Sequence, residues 1–257
     1  MTNIRMARVS AICNVISSSY GNDSIALIQW AHERGLSDVT VAYCDTGWAT
    51  PWWPQRVGKG ESLAWSYGFK TVRCKSIGME ELVRMKKGFP GNGQQFCTAY
   101  LKGLPFLQWI DEEDKDCASV VLIGKRRAES EKRKDTPEFI ESSEHHGGRK
   151  VWHPLYLHTD EERNELLARA GFEPLPHRSL ECNPCVNANR SDFQRLTAGE
   201  IERVNDLEAE IGKPMFRPKR FNTVGIHGVI AWAKDGRARA SIENEQSECA
   251  SLFGCGT

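Results

Sequence analysis

The 257-residue sequence has no long apolar run and no excess of either charge. Its apolar runs are too short to span a bilayer, and its first residues lack the apolar core of an export signal. We therefore expect a cytoplasmic protein that does not associate with membranes. Basic and acidic residues number 34 each, so the net charge is zero and gives no whole-molecule argument for nucleic-acid binding.

Two common nucleotide-binding motifs are also missing, GxxxxGK[ST] and GxGxxG. In their place, Ser19-x-Gly21-x-Asp23-Ser24 stands between an apolar run and the helical pattern of residues 25–30. A buried strand that turns through Ser and Gly into a helix presents backbone N–H groups and a positive helix end at one point. That arrangement is typical of an anion site, usually for phosphate. An ordinary strand-to-helix turn capped by Ser and Asp is the alternative.

Short apolar runs alternate with amphipathic stretches along the first 170 residues. The predicted strands are residues 8–17, 39–44, 70–74, 118–124 and 151–156, and the predicted helices are residues 24–34, 61–67, 79–87, 98–111 and 160–170. Repeated βα units of this size imply an α/β fold with a Rossmann-like, doubly wound parallel sheet. Because ligands bind beyond the carboxyl ends of parallel strands, the segments that follow the strands are expected to converge on one crevice.

The sequence changes in character after residue 176. We expect a nucleotide-binding α/β domain over residues 1–176 and a small helical, cysteine-containing extension over residues 177–257. Its predicted helices are residues 191–196, 198–211 and 228–234. Within the first domain, the charged residues 129–150 are predicted to form a solvated or mobile loop over the site, with His145 and His146 exposed.

Nine cysteines in a reducing compartment are not expected to form a disulfide framework. Four lie in or beside apolar strand-like runs and are predicted to be core residues: Cys13, Cys44, Cys74 and Cys117. The other five stand in loop-like or helix-start contexts, where metal ligation or thiol chemistry is the competing explanation: Cys97, Cys182, Cys185, Cys249 and Cys255.

Six short motifs occur in order along residues 10–190. They are Ser19-Tyr-Gly-Asn-Asp-Ser24 (similar to SGGxDS), Asp45-Thr46-Gly47 with Pro51 (DTG…P), Cys97-Thr-Ala-Tyr-Leu-Lys102-Gly-Leu-Pro105 (C-T-x-x-x-K-x-x-P), Gly124-Lys-Arg-Arg-Ala-Glu-Ser130 (G-x-R-R-x-E-S), Trp152-His-Pro-Leu155 (W-x-P-L) and Cys182-Asn-Pro-Cys185 (CxxC). As a set they resemble the PP-loop superfamily and, within it, the phosphoadenosine- and adenosine-phosphosulfate (PAPS and APS) reductase family. The chain looks particularly like reductase-like proteins of phages, plasmids and mobile defence loci, some of which accompany type IV CRISPR systems. It is also similar to the ATP-using subunit of DNA phosphorothioation systems.

This resemblance implies an adenine nucleotide alpha-hydrolase-like fold that binds ATP, APS or PAPS. The implied phosphate contacts are Ser17, Ser18, Ser19, Gly21, Asp23, Ser24, Asp45, Thr46, Lys125, Arg126 and Arg127. A carboxylate repels phosphate, so Asp23 is expected either to cap backbone N–H groups or to hold Mg²⁺, which would accompany ATP but not a phosphosulfate. Lys102, Arg126 and Arg127 would supply positive charge, and ordinary surface charge is the alternative for each.

Two departures from the family pattern carry expectations of their own. Tyr20 replaces the first glycine of the loop, and its Cβ is expected to hinder close approach of the backbone to a polyphosphate. The tail has Glu248-Cys249 and an additional Cys255 where the reductases end in E-C-G-[IL]-H.

The pair Cys182 and Cys185 is compatible with two metals. Zinc prefers four tetrahedral ligands, whereas thiolates alone suit an iron–sulfur cluster. We expect a [4Fe–4S] cluster on Cys182 and Cys185, with further ligands drawn from Cys97, Cys249 and Cys255. Thiols without a metal are the alternative.

Two mechanisms follow from an adenylyl site beside thiolates. In the first, the catalytic Cys249 or Cys255 attacks the sulfur of a bound phosphosulfate, and Lys102 or the arginines lower the pKa of the thiol. In the second, ATP adenylates an oxygen that sulfur then displaces, as in a sulfurtransferase acting on nucleic acid. The resemblance implies a thioredoxin-like electron donor or a cysteine desulfurase as partner, and a possible homodimer.

The sequence is also compatible with a function that is not catalytic. The chain is alternatively a non-catalytic accessory protein that binds a nucleotide or a nucleic acid. Residues 213–220 are basic, and aromatic residues are interleaved with them, as in surfaces that contact a phosphate backbone.

Overall fold

The computed structural model describes residues 13–91, 94–216 and 224–235. Within them, six strands form one sheet with the order β3-β2-β1-β4-β6-β5. The strands are β1 (Asn14–Ser18), β2 (Val39–Asp45), β3 (Lys70–Lys75), β4 (Val120–Ile123), β5 (Phe139–Ser143) and β6 (Arg149–Trp152). All neighbouring pairs are parallel except β5 and β6. The expected Rossmann-like parallel sheet is confirmed, and its order reverses between β1 and β4, where such sheets bind ligands.

Helices cover both faces of the sheet. They are α1 (Asn22–Glu33), α2 (Trp53–Ser66), α3 (Met79–Lys86), α4 (Phe96–Thr98), α5 (Leu104–Glu113), α6 (Asp160–Arg169), α7 (Arg190–Gln194), α8 (Ala198–Ile211) and α9 (Gly225–Lys234), with a π-helical segment at Ala99–Gly103. None of the helices in the described residues is long and apolar enough to cross a membrane.

Alternate side chains of the central strands enter two separate layers. Ile16 of β1 and Leu122 of β4 belong to a cluster with α1, α2 and α6. Their neighbours Val15 and Val121 belong to a second cluster with α5 on the opposite face. Strands buried on both faces read as continuous apolar runs, which is why periodicity located them.

A third apolar cluster joins the sheet domain to the helices that follow residue 176. Trp48, Met79 and Leu101 pack there with side chains of α8 and α9, among them Val204 and Ile226. The helices of the predicted extension therefore share a core with residues from the first half of the chain. The division at residue 176 stays a prediction.

The prediction of an irregular loop over residues 129–150 is wrong, although most of these residues are exposed, as expected. The segment contains β5, which pairs with β6 at the edge of the sheet. Three of its charged side chains are buried, those of Glu129, Arg133 and Arg149. Arg149 is 1% exposed, and its Nε donates to Asp114 Oδ2 at 2.7 Å. The expectation of two exposed histidines also fails for His146, which is 2% exposed. The composition is misleading because charges that pair with one another pack inside as apolar residues do.

Two of the four predicted core cysteines are misplaced. Cys44 and Cys74 are buried at paired positions of β2 and β3, as expected. Cys13 and Cys117 are exposed, so the core prediction is wrong for them. Cys13 precedes the first residue of β1, and Cys117 lies in the turn before β4 with a φ of +53°. Both flank a buried strand without belonging to it.

Candidate functional site

Serine hydroxyls organise the loop between β1 and α1. Ser18 Oγ accepts a hydrogen bond from Tyr20 N at 3.0 Å, and Ser19 Oγ accepts one from Gly21 N at 3.2 Å. Ser24 Oγ, one turn into the helix, accepts from Ser19 N at 3.1 Å. Three successive backbone N–H groups are thus directed to hydroxyls around one short loop. Gly21 is the N-cap residue of α1 and makes no side-chain cap.

Tyr20 takes the left-handed backbone conformation, with a φ of +56°. Its side chain is fully buried, and its ring lies 5.7 Å from that of Tyr43. Gly60 of α2 makes room for it, because a Cβ at that position would stand 2.3 Å from the Tyr20 ring. The side chain points into the core beneath α2. Because the Tyr20 side chain packs into the core, it does not lie over the loop, where the sequence led us to expect hindrance of a polyphosphate.

Asp23, in the first turn of α1, is held by two arginines. Its Oδ1 lies 2.5 Å from Arg126 Nε and 3.4 Å from Arg163 Nη1. Complete burial raises the pKa of Asp23 to about 6, Glu129 adds to the rise, and the two arginines oppose it. The sequence suggested either a helix cap or a Mg²⁺ ligand for Asp23. The structure shows Asp23 in a buried ion pair, and its Oδ2 has no hydrogen-bond partner in the described part of the chain, so the Mg²⁺ role stays a prediction.

Gly124 lets the end of β4 approach α1 closely. A Cβ on Gly124 would lie 2.8 Å from the carbonyl oxygen of Asp23. That distance is shorter than a van der Waals contact, so any larger residue would displace backbone. The close approach brings Arg126, two residues later, to Asp23 in the first turn of α1.

A segment from the second half of the chain lies across this edge of the sheet. We call residues 175–185 the crossing segment. Its first residue, Leu175, exchanges hydrogen bonds with the Asn22 side chain at 3.0 and 2.9 Å. Further along, Ser179 packs against Gly21, where an added Cβ would be 3.1 Å from Ser179 Cβ. The crossing segment therefore contacts the anion-site loop directly.

The same segment then follows the loop after β2. Thr46 Oγ1 donates to the carbonyl oxygen of Glu181 at 2.5 Å, and Trp48 pairs with Cys182 in a parallel bridge. Asn183 N donates to Trp48 O at 2.7 Å. Asp45 lies at the start of this loop, where its Oδ1 accepts from Gly47 N at 2.9 Å. Cys182 follows Ser179, the residue that contacts Gly21, by three positions. Cys182 and the β1 loop therefore lie at the same edge of the sheet.

A family model described as the phosphoadenosine phosphosulfate reductase domain matches residues 13–213. The chain belongs to this family. Among solved structures, phosphoadenylyl-sulfate (PAPS) reductase from Candida auris, in a phosphate complex, is similar at 15% identity with a TM-score of 0.43. The match covers 65% of this chain and 76% of that one. A comparison with curated protein sequences gave no match.

In this PAPS reductase domain, Lys102 is paired with an acidic residue that the sequence did not single out. Its ammonium contacts Glu181 Oε1, and both side chains are buried. The π-helical segment places Lys102 below the crossing segment, and Cys44 Sγ donates to the Lys102 carbonyl at 3.3 Å. Glu181 stands alone as an acidic residue before the CxxC motif, so no pattern in the sequence identifies it.

The three predicted cations after β4 differ in their surroundings. Arg126 is 1% exposed and, besides Asp23, donates to Asp160 Oδ1 at 2.8 Å. Arg127 is exposed, its Nε donates to Thr136 O at 2.9 Å, and its guanidinium lies over the Tyr156 ring. Lys125 is half-buried. The guanidinium of Arg126 is directed to carboxylates, and a direct phosphate contact by any of the three stays a prediction.

Arg56 is a further cation at the loop that the sequence reasoning missed. Its Nε donates to Tyr20 O at 2.7 Å, and its Nη2 lies 3.3 Å from Asn22 Oδ1. Burial lowers the pKa of Arg56 to about 10, so it remains charged at neutral pH. It was missed because α2 begins at Trp53, eight residues before the predicted helix over residues 61–67.

Three of the five candidate ligand cysteines lie in the described part of the chain: Cys97, Cys182 and Cys185. Cys97 and Cys182 pack against the same apolar cluster, and Cys185 Sγ lies 3.5 Å from Asn187 N. In residues 13–91, 94–216 and 224–235, no three His, Cys, Asp or Glu side chains come together as metal ligands. Cys249 and Cys255, predicted as catalytic and metal-binding, lie outside the described residues.

Proposed function

We propose that this reductase-family chain binds an adenylyl ligand with its anionic end at the loop of residues 17–24. We propose further that it carries out sulfur chemistry with a cysteine thiol. One observation carries this proposal: the crossing segment touches Gly21 through Ser179 and reaches Trp48 through Cys182. An adenylyl ligand at the loop would therefore lie close to a segment that bears thiols.

The charges at the loop suit an oxyanion. The first turn of α1 has a positive helix end and no side-chain cap. Arg56 adds a guanidinium beside Tyr20 and Asn22. The hydroxyls of Ser18, Ser19 and Ser24 exchange hydrogen bonds readily, so phosphate oxygens can replace them at the backbone N–H groups.

For a phosphosulfate ligand we propose thiol attack. A cysteine thiolate attacks the sulfur of the ligand, an S–S bond forms, and the bond from that sulfur to the phosphate oxygen breaks. The products are a cysteine thiosulfonate and the adenosine phosphate. A dithiol of the thioredoxin class would then release sulfite and leave a disulfide. Arg203, which donates to Asn183 O at 2.7 Å and interacts electrostatically with Cys182, supplies positive charge that favours a thiolate on the crossing segment.

ATP is the second candidate ligand, and Asp23 Oδ2 supports it. This buried carboxylate oxygen has no protein hydrogen-bond partner in the described part of the chain. Mg²⁺ commonly takes one or two carboxylates together with phosphate oxygens and water, so Asp23 fits it. Bound there, Mg²⁺ would neutralise polyphosphate charge. The chain would then act as an ATP-dependent sulfurtransferase, with a cysteine desulfurase as sulfur donor and a nucleic acid as acceptor.

The iron–sulfur cluster does not fit the described residues alone, because they bring no three metal ligands together. A cluster on Cys182 and Cys185 would depend on Cys249 and Cys255. Metal and acid-labile sulfide analysis of anaerobically purified protein tests it: about four irons and four sulfides per chain support the cluster, and an iron-free preparation removes it.

We also propose a cytoplasmic location and a nucleotide-binding domain over residues 1–176 with an extension over 177–257, both from sequence composition. A homodimer and service as an accessory protein of a mobile-element or CRISPR locus are proposed from the resemblance. A non-catalytic role would leave the nucleotide site in place and remove turnover. Part of the basic stretch 213–220 lies outside the described residues.

Anaerobic calorimetry with ATP, APS and PAPS tests the proposed function. We expect micromolar binding of at least one of them, and intact-mass analysis after mixing with a phosphosulfate to show the mass of one added SO₃ on a cysteine. Binding without any adduct or turnover would favour the accessory role. Absence of binding for all three ligands would overturn the proposal.

A further inference from the structure

One buried hydroxyl of the crossing segment has no partner in the protein. Ser179 is 8% exposed, and its Oγ has no hydrogen-bond partner among residues 13–91, 94–216 and 224–235. A hydroxyl withdrawn from water without a partner is unfavourable. Such groups in native proteins call for an explanation, and a ligand that completes the hydrogen bond is one.

The position of Ser179 identifies that ligand's chemistry. A Cβ built on Gly21 would lie 3.7 Å from Ser179 Oγ and 3.2 Å from Ser19 Oγ. The hydroxyls of Ser19 and Ser179, from distant parts of the chain, therefore lie on either side of Gly21, the N-cap residue of α1. The N-terminus of α1 favours negative charge, and a hydroxyl donates to any oxyanion.

We propose that Ser179 is a ligand-binding residue, which donates a hydrogen bond to the phosphate or sulfate oxyanion of the adenylyl ligand. The inference rests on the proposed function and deepens it. The β1 loop supplies one wall of the anion site, and the crossing segment supplies the other.

This arrangement connects the ligand to the cysteine motif. Ser179 is followed by Glu181, whose carbonyl accepts from Thr46, and by Cys182, which pairs with Trp48. A ligand oxygen bound by Ser179 would thus lie at the start of the short segment 179–185, which is hydrogen-bonded to the loop after β2 and contains the thiols of Cys182 and Cys185. Loss of the hydroxyl should weaken ligand binding without disturbing the protein's own hydrogen bonds.

The test compares Ser179→Ala with Ser66→Ala, an exposed serine of α2 whose Oγ donates to Leu63 O. Calorimetry uses ATP, APS, PAPS, inorganic phosphate and inorganic sulfate as separate ligands. Because a hydrogen bond to a charged group is stronger than a neutral one, we expect Ser179→Ala to weaken binding of the wild-type ligand about 10- to 100-fold. Its Tm should equal or exceed that of the wild type, since a buried unpaired hydroxyl is removed. Ser66→Ala should bind as the wild type does.

Gly21→Ala gives a second variant. The backbone there, with φ −70° and ψ −176°, accepts alanine, but the new Cβ occupies the space between the two hydroxyls. We expect a similar loss of binding. Wild-type affinity in Ser179→Ala, or a fall in Tm with unchanged affinity, would overturn this inference and leave the proposed function standing. If the wild type itself binds none of the ligands, the proposed function fails and this inference fails with it.

Discussion

Asp23 and Arg126 form a buried ion pair that joins the first turn of α1 to the loop after β4. The two side chains are 2% and 1% exposed, and the Oδ1–Nε distance is 2.5 Å. Both positions belong to motifs that resembled phosphate-binding elements. In the structure they hold these two elements together. The serine hydroxyls and backbone N–H groups of the loop are the groups that we propose bind the anion.

Removal of Arg126 should destabilise the protein strongly. Arg126→Ala leaves the Asp23 carboxylate buried beside Arg163 alone, and breaking a buried pair on one side typically costs about 3–5 kcal/mol. Urea denaturation measures the change in the free energy of unfolding. Arg84→Ala, which removes an exposed pair with Glu210, is the control and should have little effect. Equal stability of Arg126→Ala and the wild type would contradict this account.

Lys102 and Glu181 should show strong energetic coupling. Lys102→Met leaves Glu181 buried without its cation, and we expect a loss of about 3–5 kcal/mol. The double variant Lys102→Met with Glu181→Met removes both charges and should recover part of that loss. A double-mutant cycle from chemical denaturation measures the coupling energy. Purely additive effects would mean that the two side chains do not depend on one another.

Alanine at Gly124 and at Gly58 should change stability in opposite directions. At Gly124 the new Cβ meets the Asp23 carbonyl at 2.8 Å, so we expect a loss of about 1–3 kcal/mol. At Gly58, inside α2, a Cβ meets nothing within 4 Å. Because alanine loses less conformational entropy than glycine on folding, Gly58→Ala should stabilise the protein by about 0.5–1 kcal/mol. Thermal and urea unfolding measure both. A stable Gly124→Ala variant would show that β4 does not need the close approach.

Buried histidines should make the fold sensitive to mild acid. His153 is 2% exposed, and burial lowers its pKa to about 4, with Lys125 and Arg133 acting in the same direction. Its Nδ1 lies 2.7 Å from Pro137 O, a contact that opposes the shift. The unfolded chain gains a proton near pH 6.5, whereas the folded chain stays neutral down to about pH 4. Stability should therefore fall as the pH drops through this window, by up to about 1.4 kcal/mol per pH unit for each such histidine.

The variant His153→Asn isolates this contribution. An asparagine amide can still donate to Pro137 O and does not titrate, so the slope of stability between pH 6.5 and pH 4 should decrease. An unchanged slope in His153→Asn would show that folding does not lower the pKa of His153.

Sequence reasoning located the sheet and the loop well, and it located the partners of charged residues poorly. The runs that became β1, β2 and β4 are apolar over consecutive positions because both faces are buried, a signal that needs no knowledge of neighbours. The segment that became β5 gave no such signal, because most of its side chains are exposed at the edge of the sheet. The role of Arg56 was missed for a related reason. The residues at the start of α2, Trp53 and Pro54, do not show helical periodicity, so the helix was predicted to begin only at residue 61.

By itself, the sequence determined five of the six strands, the turn through Ser19 and Gly21, and the family to which the motifs belong. These depend on local patterns of apolar and small residues along the chain. Only the tertiary structure decided that Arg126 holds Asp23 from 103 residues away, that Lys102 pairs with Glu181, and that Ser179 stands against Gly21. The sequence does not show which group will pair with a given charge or hydroxyl. Buried polar groups must form hydrogen bonds, and their partners are whichever polar groups the fold brings close, often from distant parts of the chain.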